Sequence, residues 1–172
     1  MSNFKRILIP GGTFFFTLVT YQRMPVFADE YAVGVLGDAF RKIKNERPFY
    51  LDAVVILPEH LHCIMRLPRG DSDYSGRWRE IKKLTSRELN RGLTAQTQHK
   101  IWQRRFWEHT IRDDKDWRQH MDYIHYNPVK HGLAASPRDW KWSSFHKMVS
   151  KNWYEPSWGS TLPDNISDMK LE

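Results

Sequence analysis

The order of hydrophobic patterns along this chain predicts an α+β, ferredoxin-like sandwich: an antiparallel sheet of four to five strands with helices packed on one face. Three observations carry that expectation. Apolar spacing switches between strand and helix periods in the order strand, helix, strand, strand, helix, strand, helix. The length, 172 residues, suits one domain. With 40% hydrophobic and 14% aromatic residues, eight of them Trp, the chain has enough apolar surface for one core, which excludes disorder as a whole-chain description.

The elements follow in turn. Pro10-Gly11-Gly12 is a turn signal, and the β-branched and aromatic run Thr13 to Tyr21 reads as a buried first strand. From Glu30 to Asn45 the apolar positions Val33, Leu36, Phe40 and Ile43 fall at helical spacing, with Arg41, Lys42 and Lys44 at the end that suits cations. Leu51 to Leu57 and His60 to Leu67 read as a hairpin across Pro58-Glu59. Gly76 to Asn90 reads as a second helix, with Trp78, Ile81, Thr85 and Leu89 inward and Arg79, Lys82, Lys83 and Arg87 outward. Trp102 to Ile111 is the expected fourth strand. Asp113 or Asp114 caps a third helix with the stripe Trp117, Met121 and Ile124, and Pro128 predicts its end or a bend. Residues 1–159 are expected to form one domain and residues 160–172 a flexible tail.

Charge and cysteine content narrow the class. The formal net charge is +7, and residues 77–118 hold twelve basic against six acidic side chains, so nearly all the surplus sits in the middle. Such a field suits a polyanion, although a solvated basic face gives the same composition. The single cysteine, Cys63, cannot form an intrachain disulfide or furnish a thiolate zinc site by itself. Lys5 and Arg6 before an apolar stretch imitate a secretory leader, but Pro10 to Gly12 interrupt it and no cleavage site follows. Cytoplasmic residence is therefore expected.

Two short segments carry chemistry. His60 and His62 project from the same face of a strand, opposite the apolar Leu61, Cys63, Met65 and Leu67, so two imidazoles converge where one divalent cation suits both. Tyr123 and Asn127 lie one turn apart on the third helix, with Tyr126 roughly co-facial and His125 pointing away. Taken alone, an H-x-H pair equally suits two unrelated histidines, and either tyrosine suits a buried hydrogen bond. Combined, the segments suggest phosphoryl transfer. A phenol is a weak nucleophile at neutral pH, and a cation held by two imidazoles and an amide oxygen would activate a scissile phosphate for it.

The segments GGTFFFTLVTYQR, PEHLHCIMRLP, SGRWREIKKLTSR, WQRRFWEHTIRDD, YIHYNPVKHGL and WKWSSF, in this order, resemble the REP-associated tyrosine transposases of bacteria, a branch of the single-tyrosine HUH transposases. The resemblance implies that His60, His62 and Asn127 are metal ligands, that Tyr123 is the nucleophile and that Tyr126 supports it. It implies a magnesium or manganese ion, no nucleotide cofactor, and single-stranded DNA folded into a palindromic REP hairpin with a short recognition sequence at its foot. Cleavage would leave a 5′-phosphotyrosine and a free 3′-hydroxyl, carried out by a monomer in the nucleoid-associated cytoplasm. Asn127 stands where insertion-sequence relatives commonly carry Gln, one methylene longer. On such a substrate Arg79, Lys82, Lys83, Arg87, Arg104 and Arg105 would meet phosphates, and Trp102, Phe106 or Trp107 would stack on an unpaired base. His109, His120 and His131 are expected to be structural. A non-catalytic nucleic-acid-binding domain of this fold, and a metal-dependent phosphoesterase that attacks with water, are the alternative readings.

Overall fold

The glycine turn sets the entry into the sheet. Gly11 adopts φ +69°, the left-handed region that favours glycine, and its N–H donates to Asp71 O at 2.8 Å. The computed structural model describes residues 8–169 and 171, so the leader-like start at Lys5 and Arg6 lies outside the described residues.

From this turn the chain runs through β1 (Thr13–Val19), α1 (Glu30–Glu46), β2 (Tyr50–Ile56), β3 (His60–Arg66), α2 (Tyr74–Leu89), β4 (Trp107–Thr110), α3 (Asp114–Lys130) and a short α4 (Phe145–Ser150). The strands form one antiparallel sheet in the order β2-β3-β1-β4, the ferredoxin-like arrangement the sequence predicts. Each long helix starts on an aspartate whose carboxylate accepts a backbone N–H: Asp29 from Tyr31, Asp73 from Gly76 and Asp113 from Asp116.

Alternation in β1 divides the core in two. Phe14, Phe16 and Leu18 point with Leu61, Cys63 and Met65 into a cluster closed by α1 and α2, where Trp78 is fully buried. Phe15 points the other way, with Val55 and Ile64, into a second cluster with Met121, Tyr123 and Ile124 of α3. Helices therefore cover both faces rather than one: α1 and α2 lie on one side and α3 on the other. Each fully buried Phe is worth about 1.5–3 kcal/mol relative to exposure, so both faces are strongly held.

Two boundaries and one buried charge stand apart from the sequence reading, each for a local reason. The fourth strand shrinks to four residues, because Trp102 leaves the sheet plane as an isolated bridge to Thr20 and packs on Phe27 at 5.2 Å. Pro128 lies inside α3 rather than ending it. The stop comes instead at Gly132, φ +68°, where Gly132 N–H donates to Val129 O and Leu133 N–H to Pro128 O. The third difference is Arg77, a buried cation on α2, held by the Asp71 carboxylate at 2.6 Å and the carbonyls of Arg47, Pro48 and Asp73.

After α3 the chain returns along β2. Ser144 Oγ accepts Val54 N–H at 2.9 Å, and Trp140 Nε1 donates to Ile56 O at 2.9 Å. His125, on the side of α3 away from Tyr123, locks this return: Nε2 meets Ser144 Oγ at 2.8 Å and Nδ1 meets Tyr154 Oη at 3.2 Å, while Tyr154 Oη donates to Asp122 Oδ1 at 2.5 Å. The segment set apart as a tail lies against α3 where it is described. Asn165 Nδ2 donates to Asp122 Oδ2 at 2.7 Å, and Ile166 is buried.

Burial, and secondarily Arg118, pulls the His125 imidazole down to about 3, so it stays neutral in the fold while an unfolded His protonates near 6.5. The unfolded chain then binds the extra proton, and the stabilising contribution is complete above about pH 6.5 and is lost as pH falls from there toward 3. Urea unfolding across this range is expected to show stability falling with acidity, and a His125→Asn variant is expected to lose that part of the slope.

Candidate active site

The pleat of β3 and the register of β1 build the first half of the site. His60 and His62 are both buried, with ring centroids 4.9 Å apart and planes at 76°. They stand opposite Val19 and Thr17 of β1. Thr17 Oγ1 donates to Leu171 O at 3.4 Å and lies 2.9 Å from His62 Nδ1. The contact with Thr17 orients the His62 ring whichever of the two atoms donates. Phe15 stacks on His62 at 5.4 Å and 23°, fixing the ring from the sheet side.

Helix α3 supplies the second half. The Tyr123 ring is 2% exposed and meets His62 edge-on at 5.4 Å, so the nucleophile expected from the sequence and the strand histidines lie on one face. Asn127, one turn further on, is fully buried, and its carbonyl accepts the N–H of His131. Tyr126 is half-buried and packs with the second core cluster.

Two further residues stand at this end: Lys130, which the sequence reading did not single out, and His131, which it expected to be structural. Lys130 Nζ donates to Tyr123 Oη at 2.8 Å and lies 4.7 Å from its ring. His131 brings a third imidazole 5.0 Å from His60. The seven-residue spacing from Tyr123 to Lys130 was the available signal, since two helical turns return to the same face. The capping residue His131 had none, because its position depends on how α3 ends.

Two imidazoles on adjacent same-face positions, one of them hydrogen-bonded to Thr17, are a fitting donor set for a divalent cation, and Asn127, expected as a third ligand, is buried on α3. A separate group, His109, Asp116 and His120, also brings ligand atoms within 4.8 Å of one another. There the Asp116 carboxylate already receives Arg112 Nε at 3.0 Å and His109 Nε2 at 2.9 Å, and the imidazoles lie 14° from parallel. Burial opposes ionisation of Asp116, but the hydrogen bonds from Arg112 and His109 prevail and hold it well below the usual carboxylate range. That arrangement is a pair of stacked rings on an ion pair.

The basic surface divides. Arg79, Lys83 and Arg87 are exposed along α2, and Arg104 and Arg105 are exposed before β4. Lys82 is partly drawn in, its Nζ donating to Gln103 O at 2.6 Å and Arg104 O at 3.3 Å, so it ties the loop to the helix. Between these segments lies an open cleft of about 980 Å³ lined by Lys82, Lys83, Arg87, Arg91, Lys100 and Arg104 among others. Trp102 does not belong on the contact surface expected for it: it is 5% exposed, and its ring is consumed by the core. Phe106 is also packed, between Phe16 and Trp78, whereas Trp107 is 41% exposed.

Comparison with known proteins follows the same lines. The sequence model of the IS200-like transposases matches residues 12–127. The chain is 46% identical over 165 residues to a REP-associated tyrosine transposase of Escherichia coli K12, covering 95% of this chain and 94% of that protein. It is 40% identical over 171 residues to a putative REP-associated tyrosine transposase of Haemophilus influenzae, covering 95% and 96% respectively. Among solved structures, a REP-associated tyrosine transposase bound to a REP hairpin superposes with TM-score 0.85 at 43% identity, covering 98% of this chain and 95% of the other. A phenol held against paired strand histidines on a ferredoxin-like sheet, together with these matches along nearly the whole chain, places the protein in the REP-associated tyrosine transposase family of IS200-like transposases.

Proposed function

We propose that this transposase cuts and rejoins single-stranded DNA at REP-type hairpins through a covalent 5′-phosphotyrosine on Tyr123. The observation that carries the reading is the meeting of the Tyr123 phenol with the His60–His62 pair, with Lys130 on the phenol oxygen. In the forward step Tyr123 Oη bonds to phosphorus as the P–O3′ bond breaks. The phenolic proton leaves to solvent and the 3′-oxygen takes one up, so the bond energy stays in the ester for resealing. Lys130 directs the phenol oxygen and stabilises negative charge on it as the proton departs. His60, His62 and Asn127 would hold one divalent cation, magnesium or manganese, which when bound polarises the scissile phosphate. Thr17 and Phe15 keep the His62 ring in register for that role.

The exposed arginines and lysines of α2 and the 104–105 pair would track the DNA backbone on either side of the cleft. A REP hairpin is the ligand named for the solved relative, and the likeness over 98% of this chain supports the same class of substrate here. Action as a monomer is the expectation the resemblance brings, and the working unit runs past residue 159, since Asn165 and Ile166 pack against α3 and Leu171 meets Thr17. The expected setting is the cytoplasm beside the nucleoid. Among the described residues no helix is long and apolar enough to cross a membrane.

Incubating the protein with REP-type hairpin oligonucleotides and magnesium is expected to give a denaturation-resistant protein–DNA adduct that maps by peptide analysis to residue 123. Tyr123→Phe should abolish the adduct while leaving hairpin binding intact, and Tyr126→Phe should retain it. Released DNA with no shifted protein band would point to attack by water instead. Thr17→Val, which removes the hydroxyl from His62, should weaken divalent-metal binding by about 10-fold or more in titration calorimetry. Replacing Lys83 and Arg87 by Gln should weaken binding to all hairpin sequences alike and flatten its dependence on salt by about 0.7–0.9 for each phosphate no longer neutralised; an unchanged slope removes these residues from the interface.

A further inference from the structure

Single exposed apolar side chains are common, but Trp107 is exposed in a particular setting. It pairs with Thr17 across the β1–β4 register, and Thr17 pairs with His62 across β1–β3, so the three stand in one cross-strand row on the catalytic face. With strands about 4.8 Å apart, the backbone of Trp107 lies about 10 Å from that of His62. Phe15 meets Trp107 edge-on at 5.8 Å and is the ring that stacks on His62.

The indole is also braced. The His109 ring lies 6.1 Å from it and 9° from parallel, and His120 continues the stack at 4.5 Å and 14°. This stack is pinned to α3: His109 Nε2 meets Asp116 Oδ2 at 2.9 Å, and His120 Nδ1 meets the Asp116 carbonyl at 2.8 Å. A ring held this way loses little side-chain freedom when a partner stacks on it. Exposed cations flank it in sequence, Arg104 and Arg105 before and Arg112 after. A flat ring with cations on both sides matches the two components of a nucleotide, a base and its phosphates.

We propose that Trp107, backed by His109 and His120, is the platform on which one unpaired nucleobase stacks beside the phosphodiester that Tyr123 attacks. This rests on the strand-transfer reading above and adds a binding subsite to it. Stacking uses the π-face that every base has, so the platform positions the strand without reading its sequence.

The test is a binding cycle in the full chain carrying Tyr123→Phe, so that cleavage does not intervene. REP-type hairpin oligonucleotides with single-stranded flanks carry an abasic site moved one nucleotide at a time. One abasic position within a nucleotide or two of the scissile phosphate is expected to weaken binding about 5- to 150-fold. Trp107→Ala should weaken the intact oligonucleotide by a similar factor and show no further loss with that abasic oligonucleotide, while Trp107→Phe retains most of the affinity. Losses that multiply at every position, or a Trp107→Ala protein that binds undiminished, overturn the proposal. Should Trp107→Ala fail to fold, 2-aminopurine at the same position must be quenched on the parent protein and less quenched on Trp107→Leu; equal fluorescence on both overturns it. Adduct formation by the protein with Tyr123 intact is scored separately. Its absence defeats the strand-transfer reading and leaves the binding cycle interpretable.

Discussion

The side chain of Phe15 is where the sheet, the strand histidines and α3 meet. It is fully buried and touches His62, Trp107, His120 and Tyr123. Moving the strand by one residue would turn Phe15 into the α1/α2 core and replace it with another Phe, but it would part Thr17 from His62 and turn Thr17 into that core. The placement of the phenol against the imidazoles is therefore a packing property before it is a chemical one. Buried apolar surface on both sides of the sheet supplies the free energy that holds polar groups in a position they would not choose by themselves.

Several polar groups on the side of the sheet that carries α3 are held by partners within the protein. His62 has Thr17, His109 and His120 share Asp116, and His125 has Tyr154 and Ser144. Burial, reinforced by the neighbouring Asp122, raises Tyr154 well above an ordinary phenol, so that hydroxyl is a permanent donor. Tyr123 is buried too, but its partner is a cation rather than a carboxylate. The two tyrosines thus differ in the groups beside their hydroxyls, a carboxylate for Tyr154 and an ammonium for Tyr123.

Strand and helix patterns in the sequence were sufficient for the fold because alternation and helical spacing are local. The H-x-H pair was legible for the same reason: once Leu61, Cys63 and Met65 face the core, His60 and His62 must face away from it. Tyr123 and Asn127 were placed together by helical geometry. What the sequence hid depends on tertiary events. Trp102 looks like part of a strand, and only the packing of Phe27 draws it into the core. Pro128 reads as an end or a bend of the helix, and the left-handed residue four positions later is what ends α3 and so keeps Lys130 over the phenol. The histidines of β4 and α3 read as unrelated because eleven residues and a turn separate His109 from His120. Their shared aspartate lies in the first turn of α3.

Strand β4 is four residues long and lies at the edge of the sheet, with its outer backbone groups unclaimed by any other described strand. An open edge of this kind is a template for a foreign strand to extend the sheet into an aggregate. Arg104, Arg105 and Arg112 stand exposed just beyond its two ends. Another copy approaching in register would bring the same cations against them. The cations proposed to meet a polyanion on this rim would thereby also set it against its own kind, so that resistance to self-pairing and the proposed ligand contact draw on one set of side chains.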